Sequence, residues 1–265
     1  MATSSSAKPF LRWAGGKNWL VKYLPAIIGD LQFNRYVEPF VGGGSIFFAL
    51  NPDNALLSDA NEELINTYIG VRDEIDQVLD ILASWEVTEE KYYEIRSLRP
   101  ETSAERSARF IYLNRTSFNG IYRVNKKGEY NVPYGRADNY KFDFQRIRNA
   151  SSALQGTTLR HGDFSEALAG VREGDLVFLD PPYTVSHNQN GFIEYNKKLF
   201  SLEDQHQLKK CIDEVKSRDA YFILTNAAHK TVVDIFKDTG EMYELRRHCG
   251  LGGKNGSVEN VGVRA

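Results

Sequence analysis

The chain is predicted to be an α/β protein, a mostly parallel sheet with connecting helices, interrupted by an inserted helical module. Three observations lead there. Apolar runs bounded by turn formers recur, as in Leu176-Val177-Phe178-Leu179 after Gly174-Asp175, and read as buried strands. The first such strand, ending at Val37-Glu38, runs into a glycine loop and then a helix, the order of a nucleotide-binding βα unit. Three helical patterns then lie between two strands, too many for one crossover. Residues 1–61 and 150–265 are expected to form the sheet domain, and 62–149 the insertion.

Composition narrows the function classes. Of 265 residues, 42% are hydrophobic and 26% charged, which suits a globular domain with an ordinary core. No apolar run approaches the roughly 18 residues of a membrane span, so no membrane partner is expected. Met1 to Lys8 is Ser-rich without an apolar centre and reads as a frayed terminus, not a signal peptide. Cys211 and Cys249 lack metal or redox spacing, and as reduced thiols they point to the cytoplasm. The histidines are scattered, so no metal is expected in catalysis. The net charge of −2 hides a segregation. From Lys91 to Arg148 there are 13 Lys/Arg against 6 Asp/Glu, and elsewhere 20 against 29. A basic segment in an acidic frame suits phosphate contact, and equally a solvated helical face.

The elements follow in order. Trp13-Ala14-Gly15-Gly16-Lys17 offers an aromatic wall and glycines that permit close approach, with Lys17 at an expected helix start; a core Trp before a turn is the alternative. Tyr36-Val37-Glu38-Pro39-Phe40-Val41-Gly42-Gly43-Gly44-Ser45 is strand, loop and helix start. It matches neither a Walker loop nor a strict dinucleotide fingerprint, so a smaller nucleoside ligand is favoured. The strand Ala55-Leu56-Leu57-Ser58 ends in Asp59, placed to accept from ribose hydroxyls or to cap the next helix. Apolar spacing from Glu62 to about Leu82 predicts one amphipathic helix; two more begin at Thr88 and Ser103. A hairpin is expected about Asn125-Lys126-Lys127-Gly128, in a stretch that interleaves aromatics with Arg and Lys. Asp143 caps another helix, a strand at Thr157-Thr158-Leu159 leads to Asp163, and Ser201 with Asp204 forms a capping box. Tyr221 to Leu224 is a strand, and two more are expected about Tyr243 and Val261.

The chemistry centres on Asp180-Pro181-Pro182-Tyr183 at the end of the Leu176–Leu179 strand, the edge where open α/β sheets bind ligands. Two prolines give a stiff turn without N–H donors and leave the Pro181 carbonyl to accept from a ligand. An aspartate, that carbonyl and an aromatic face can hold a planar base bearing an amino group. An ordinary strand-ending turn is the plainer alternative.

Taken together in this order, the Trp13–Lys17, Glu38–Gly44, Asp59 and Asp180–Tyr183 motifs resemble the Dam-like DNA adenine methyltransferases, the α group of S-adenosylmethionine-dependent amino-methyltransferases. The resemblance implies a Rossmann-like seven-stranded methyltransferase sheet with an inserted helical target-recognition module carrying a β-hairpin. It implies S-adenosylmethionine as cofactor, S-adenosylhomocysteine as product, and double-stranded DNA as partner, with a monomer as the plain expectation. By the same resemblance Trp13, Ala14, Gly15, Gly16 and Lys17 line the cofactor site. Glu38, Pro39, Phe40, Gly42, Gly43 and Gly44 cradle the methionine part, Asp59 takes the ribose, and Asp163, Phe164 and Asp180 complete the site. Asp180, Pro181, Pro182 and Tyr183 are then catalytic. Phe118 intercalates, Asn119 contacts the duplex, Ile121 and Pro133 touch a thymine methyl, Arg123 reads a guanine, and Arg136 holds phosphate, which suggests GATC. Arg12 stands where close relatives carry Lys, and a longer bidentate donor there alters first-base reading. Tyr183 is expected to stack on the flipped base, with Phe192 or Tyr195 opposite. RNA adenine and a protein glutamine amide are also planar nitrogen acceptors, and a non-catalytic DNA-binding module is the non-enzymatic alternative.

Overall fold

A computed structural model of the chain describes residues 7–138, 140–183, 200–227, 229–247 and 257–264. They fall into two compact units. One comprises Met1–Val21, Val41–Asp53 and Asp59–His161, the other Lys22–Phe40, Asn54–Ser58 and Gly162–Ala265.

The second unit is built on a central parallel sheet. Its strands are β1 (Tyr36–Glu38), β2 (Ala55–Asp59), β4 (Leu176–Leu179), β5 (Tyr221–Ala227), β6 (Glu241–Arg247) and β7 (Ser257–Arg264). They run in the order β2-β1-β4-β5-β7-β6, parallel as far as β5 and antiparallel beyond it. β1 and β4 are buried at every position, which is why they read as continuous apolar runs and not as alternating ones. Helix α8 (Phe164–Ala169) and helix α9 (Leu202–Ser217) cover a face through Leu168, Leu208, Ile212 and Val215, packed on Val37, Val177, Leu179 and Phe222. Each fully buried side chain of this kind contributes roughly 1.5–3 kcal/mol. The capping box expected at Ser201 is present, Ser201 accepting from Asp204 N and Asp204 from Ser201 N. A short helix, α10 (Lys230–Phe236), follows β5, and 3-10 and helical turns, Val21–Tyr23 and α1 (Leu24–Ile28), precede β1. Lys17 therefore does not begin a helix: Gly15 at φ +80° turns the chain and Lys17 sits in the turn that follows.

The first unit is helical. It holds α2 (Ser45–Leu50), α3 (Glu62–Asp73), α4 (Ile75–Ser84), α5 (Glu89–Ser97), α6 (Ser103–Thr116), α7 (Phe144–Leu154) and the strand β3 (Thr157–His161). The single helix expected over Glu62–Leu82 is two. Glu74 leaves helical geometry at φ −129°, ψ 33°, so the chain turns between the stripe Leu64, Ile65, Tyr68, Val71 and the stripe Val78, Leu79, Leu82. Asn61 caps α3 and Thr102 caps α6 with a full capping box to Glu105. α3 and α6 approach closely because Gly70 has no side chain: a Cβ there would lie 2.1 Å from Ser107 Oγ. Arg106 adds an ion pair to Glu63 across the same contact. The expected hairpin is present only as isolated antiparallel bridges, Ser117 with Tyr134 and Val124 with Tyr130. Asn125 closes the turn with its side chain, its Oδ1 accepting from Lys127 N and Glu129 N, beside the backbone bonds Asn125 N to Glu129 O and Asn131 N to Arg123 O.

Candidate active site and nucleic-acid interface

In the first unit the Trp13–Lys17 stretch packs on the glycine loop. The Trp13 ring stacks on Phe110 and Tyr122, with centroids 6.5 and 6.0 Å away and both planes within 24°. Its indole edge occupies the place of a side chain at Gly42, where a Cβ would meet Trp13 Cδ1 at 2.6 Å; Gly42 also holds φ +46°. No other residue fits that position without displacing the indole. Asp59 Oδ2 accepts from Gly42 N at 3.0 Å and Oδ1 from Asn61 N at 2.9 Å, while Tyr68 Oη donates to Gly42 O at 3.0 Å. Asp59 therefore braces the loop and the backbone of Asn61, and it is Asn61, not Asp59, that caps α3. Burial raises the Asp59 pKa, and the Asn61 and Gly42 amides oppose it. Each oxygen of the carboxylate thus accepts from a backbone amide. Lys17 is buried and donates to Gly15 O at 2.9 Å, so its charge holds the loop's own backbone.

The second unit carries the other expected site residues. Glu38 is buried at the end of β1 and accepts from Tyr36 Oη at 2.9 Å. Phe40 stacks on Phe164 at 5.4 Å and meets Phe200 edge-on at 5.8 Å. Asp163 caps α8, accepting from Ser165 N at 2.9 Å. At the end of β4, Asp180 and Tyr183 are half-buried, Pro181 is buried and Pro182 exposed. Asp180 Oδ1 accepts from Thr225 Oγ1 at 2.7 Å. Burial raises the Tyr36 pKa far above its ordinary value, with Glu38 and then Asp180 adding to it, so two acids share that side of the sheet edge. Phe192 and Tyr195 lie outside the described residues.

The expected DNA contacts gather in the first unit, and all are exposed: Arg12, Phe118, Asn119, Ile121, Arg123, Pro133 and Arg136. Phe118 is 53% exposed, a large apolar ring held out in solvent. It is presented by a 3-10 turn, Phe118–Gly120, in which Asn119 takes φ +56°. Phe118 N donates to Pro133 O and Gly135 N to Thr116 O, both at 2.9 Å, which pins the two arms together. Tyr92 Oη and Arg96 both donate to Val132 O, at 2.8 and 3.1 Å. Arg123 bonds Asn131 through Nε at 2.8 Å, so its guanidinium is engaged within the loop itself. A cavity of about 710 Å³ in this unit is lined by Lys8, Arg12, Arg115, Asn119, Ile121 and Arg146 among others, with no Asp or Glu among the described lining residues. Such a surface concentrates anions. Sequence reasoning missed four supporting residues, Tyr68, Asn114, Tyr122 and Thr225. Tyr68 sits in an apolar helical stripe and Thr225 lies within β5, beyond the apolar run that marks the strand in the sequence, and neither position carries a local signal of its use.

The first unit thus carries a braced glycine loop with an acid at the end of β2, and the second a parallel sheet with a proline corner after β4. Comparison with known proteins narrows this. The family described as D12 class N6 adenine-specific DNA methyltransferase matches residues 13–248. The chain is 35% identical over 242 residues to the type II methyltransferase M1.LlaDCHI of Lactococcus lactis subsp. cremoris, covering 87% of this chain and 85% of the relative. It is 36% identical over 260 residues to the type II methyltransferase M.MjaIII of Methanocaldococcus jannaschii, covering 89% and 88%. It is 30% identical over 236 residues to the DNA adenine methylase of Escherichia coli, covering 85% and 82%. The chain belongs to the D12 class of N6 adenine-specific DNA methyltransferases, a family that implies S-adenosylmethionine as methyl donor and DNA as substrate. No helix among the described residues is long and apolar enough to cross a membrane, and no cluster of three or more His, Cys, Asp or Glu among them could hold a metal ion.

Proposed function

We propose that the chain methylates the exocyclic amine of adenine within GATC, in duplex DNA, after turning the base out of the helix. The observation that carries this reading is the corner at Asp180-Pro181-Pro182-Tyr183, at the end of β4, where Thr225 Oγ1 holds one oxygen of the half-buried Asp180 carboxylate. An adenine amine is conjugated with its ring and stacked in the duplex, so it must be both extruded and reoriented before it can attack. The Asp180 carboxylate and the Pro181 carbonyl accept its two hydrogens, and Tyr183, with Pro182, offers an apolar face to the ring. Bound S-adenosylmethionine supplies an electrophilic methyl on a sulfonium. The nitrogen lone pair is aimed by these two acceptors, and positioning supplies much of the rate.

The remaining assignments follow the same reading. Asp59, at the end of β2, takes the ribose diol. Glu38, a buried acid, suits an ammonium, and the Phe40–Phe164 stack suits an adenine edge. Trp13 to Lys17 and Gly42 to Gly44 shape the loop. Phe118 wedges between base steps, Asn119 and Arg136 meet the backbone, Arg123 and Arg12 read guanines, and Ile121 and Pro133 contact thymine. Exposure of all seven on one unit supports this set. Residues 1–61 and 150–265 are assigned to a seven-stranded catalytic domain and 62–149 to target recognition. The helices α3 to α6, which follow one another from Glu62 to Thr116, support the target-recognition part of that division.

Two measurements test this. Asp180→Ala should abolish tritium transfer from labelled cofactor while duplex binding persists; near wild-type transfer would sink the catalytic assignment. Methylation-sensitive sequencing of DNA from a methylation-free host expressing the chain should find modified adenine in GATC. Modification mainly at other sequences would retire the Phe118–Arg136 assignments.

A further inference from the structure

Strand pairing puts a residue beside Asp180 that no motif singles out. β4 and β5 are parallel with Leu179 opposite Leu224, so the next residue of β5, Thr225, stands level with Asp180. Thr225 is fully buried. Its hydroxyl lies 2.7 Å from Asp180 Oδ1 and 3.4 Å from Leu179 O. A hydroxyl has one proton to give, and the charged, nearer oxygen is the stronger acceptor. On the β1 side, Tyr36 gives its proton to Glu38 at 2.9 Å.

A carboxylate's terminal torsion is broad and two-fold, so the Asp180 side chain has no strong torsional preference for one plane. A β-branched donor, restricted about χ1 and enclosed in a central strand, supplies one. We infer that Thr225 is a positioning residue for methyl transfer: it sets the plane of the Asp180 carboxylate so that the incoming amine meets a single acceptor orientation. This rests on the reading of Asp180 as the amine acceptor.

The test uses Thr225→Val, which keeps volume and removes the donor, and Thr225→Ser, which keeps the donor and removes a buried methyl. Single-turnover transfer to duplex DNA, cofactor Kd by calorimetry, DNA Kd by anisotropy and melting temperature are measured on each. Thr225→Val should slow transfer about 10–100-fold, the scale of one lost hydrogen bond to a charged group, with both Kd values within about 2-fold. Thr225→Ser should transfer within about 3-fold of wild type despite a lower melting temperature. Should Thr225→Val fold poorly, Thr225→Ala is compared with Thr225→Ser in the same way. A purely structural Thr225 gives the opposite order, with Thr225→Ser the more impaired or rates that follow melting temperature, and that result overturns the inference. Asp180→Ala separates the two layers. If it still transfers methyl groups, the reading of Asp180 fails; if it is dead while Thr225→Val is fully active, only the role of Thr225 falls.

Discussion

Asp59 carries two demands that pull against each other. It braces the glycine loop through Gly42 N and the backbone of Asn61 through its N–H, yet burial raises its pKa. A carboxyl whose folded pKa lies above its unfolded value contributes stability that is present below the unfolded pKa and lost as pH rises through the folded one. Asp59→Asn cannot titrate. The unfolding free energy of the wild type relative to Asp59→Asn should therefore fall as pH climbs from about 4 through the raised carboxyl range, as urea titrations at stepped pH would show. A flat difference would place Asp59 in a more polar setting. At neutral pH, Asp59→Ala should weaken S-adenosylmethionine binding by about 10–100-fold in calorimetry, the loss of charged hydrogen bonds to a diol. Its place at the end of β2 was legible beforehand, since the apolar run Ala55-Leu56-Leu57 marks the strand. Its hold on Gly42 was not, because the bond spans 17 positions and depends on how the loop folds back.

At the scale of elements, the end of α6 shows how a helix fixes the turn that holds Phe118 out in solvent. Asn114, buried in its last turn, accepts from Arg12 N at 2.8 Å and donates to Arg12 O at 2.7 Å, with Gly120 O at 3.4 Å. Gly120 has φ +64°, and a Cβ there would meet Arg12 Cδ at 2.6 Å. One amide side chain therefore ties the residue before Trp13 to the turn that presents Phe118. Asn114→Ala leaves backbone groups of Arg12 unpaired and should cost about 1–3 kcal/mol of stability by denaturant unfolding. It should also reduce discrimination at the first base of the target in competition assays. Stability lost with discrimination intact would make Asn114 a fold residue only. The helices themselves were readable from caps and apolar spacing. The break at Glu74 was not, because both halves present apolar residues at helical spacing and only packing selects where the stripe turns.

On the scale of the whole molecule, charge distribution matters more than the net value of −2. Duplex affinity should fall steeply with salt, and Arg136→Ala should lower the slope of log affinity against log salt by about one phosphate's share, roughly 0.9, without changing sequence preference. An unchanged slope would remove Arg136 from the phosphate contacts. The amino-acid sequence alone determined the parallel α/β class, the run of helices after Glu62 and the motif residues, because these rest on local rules: apolar runs, glycine and proline geometry, caps and charge counts. Tertiary structure alone decided which neighbours hold those residues: Thr225 on Asp180, Tyr68 on Gly42, Trp13 where a side chain would stand, and Asn114 on Arg12. The physical reason is range. Strand register and helix packing bring together atoms separated by 26 to 102 positions, and no local periodicity encodes such a meeting.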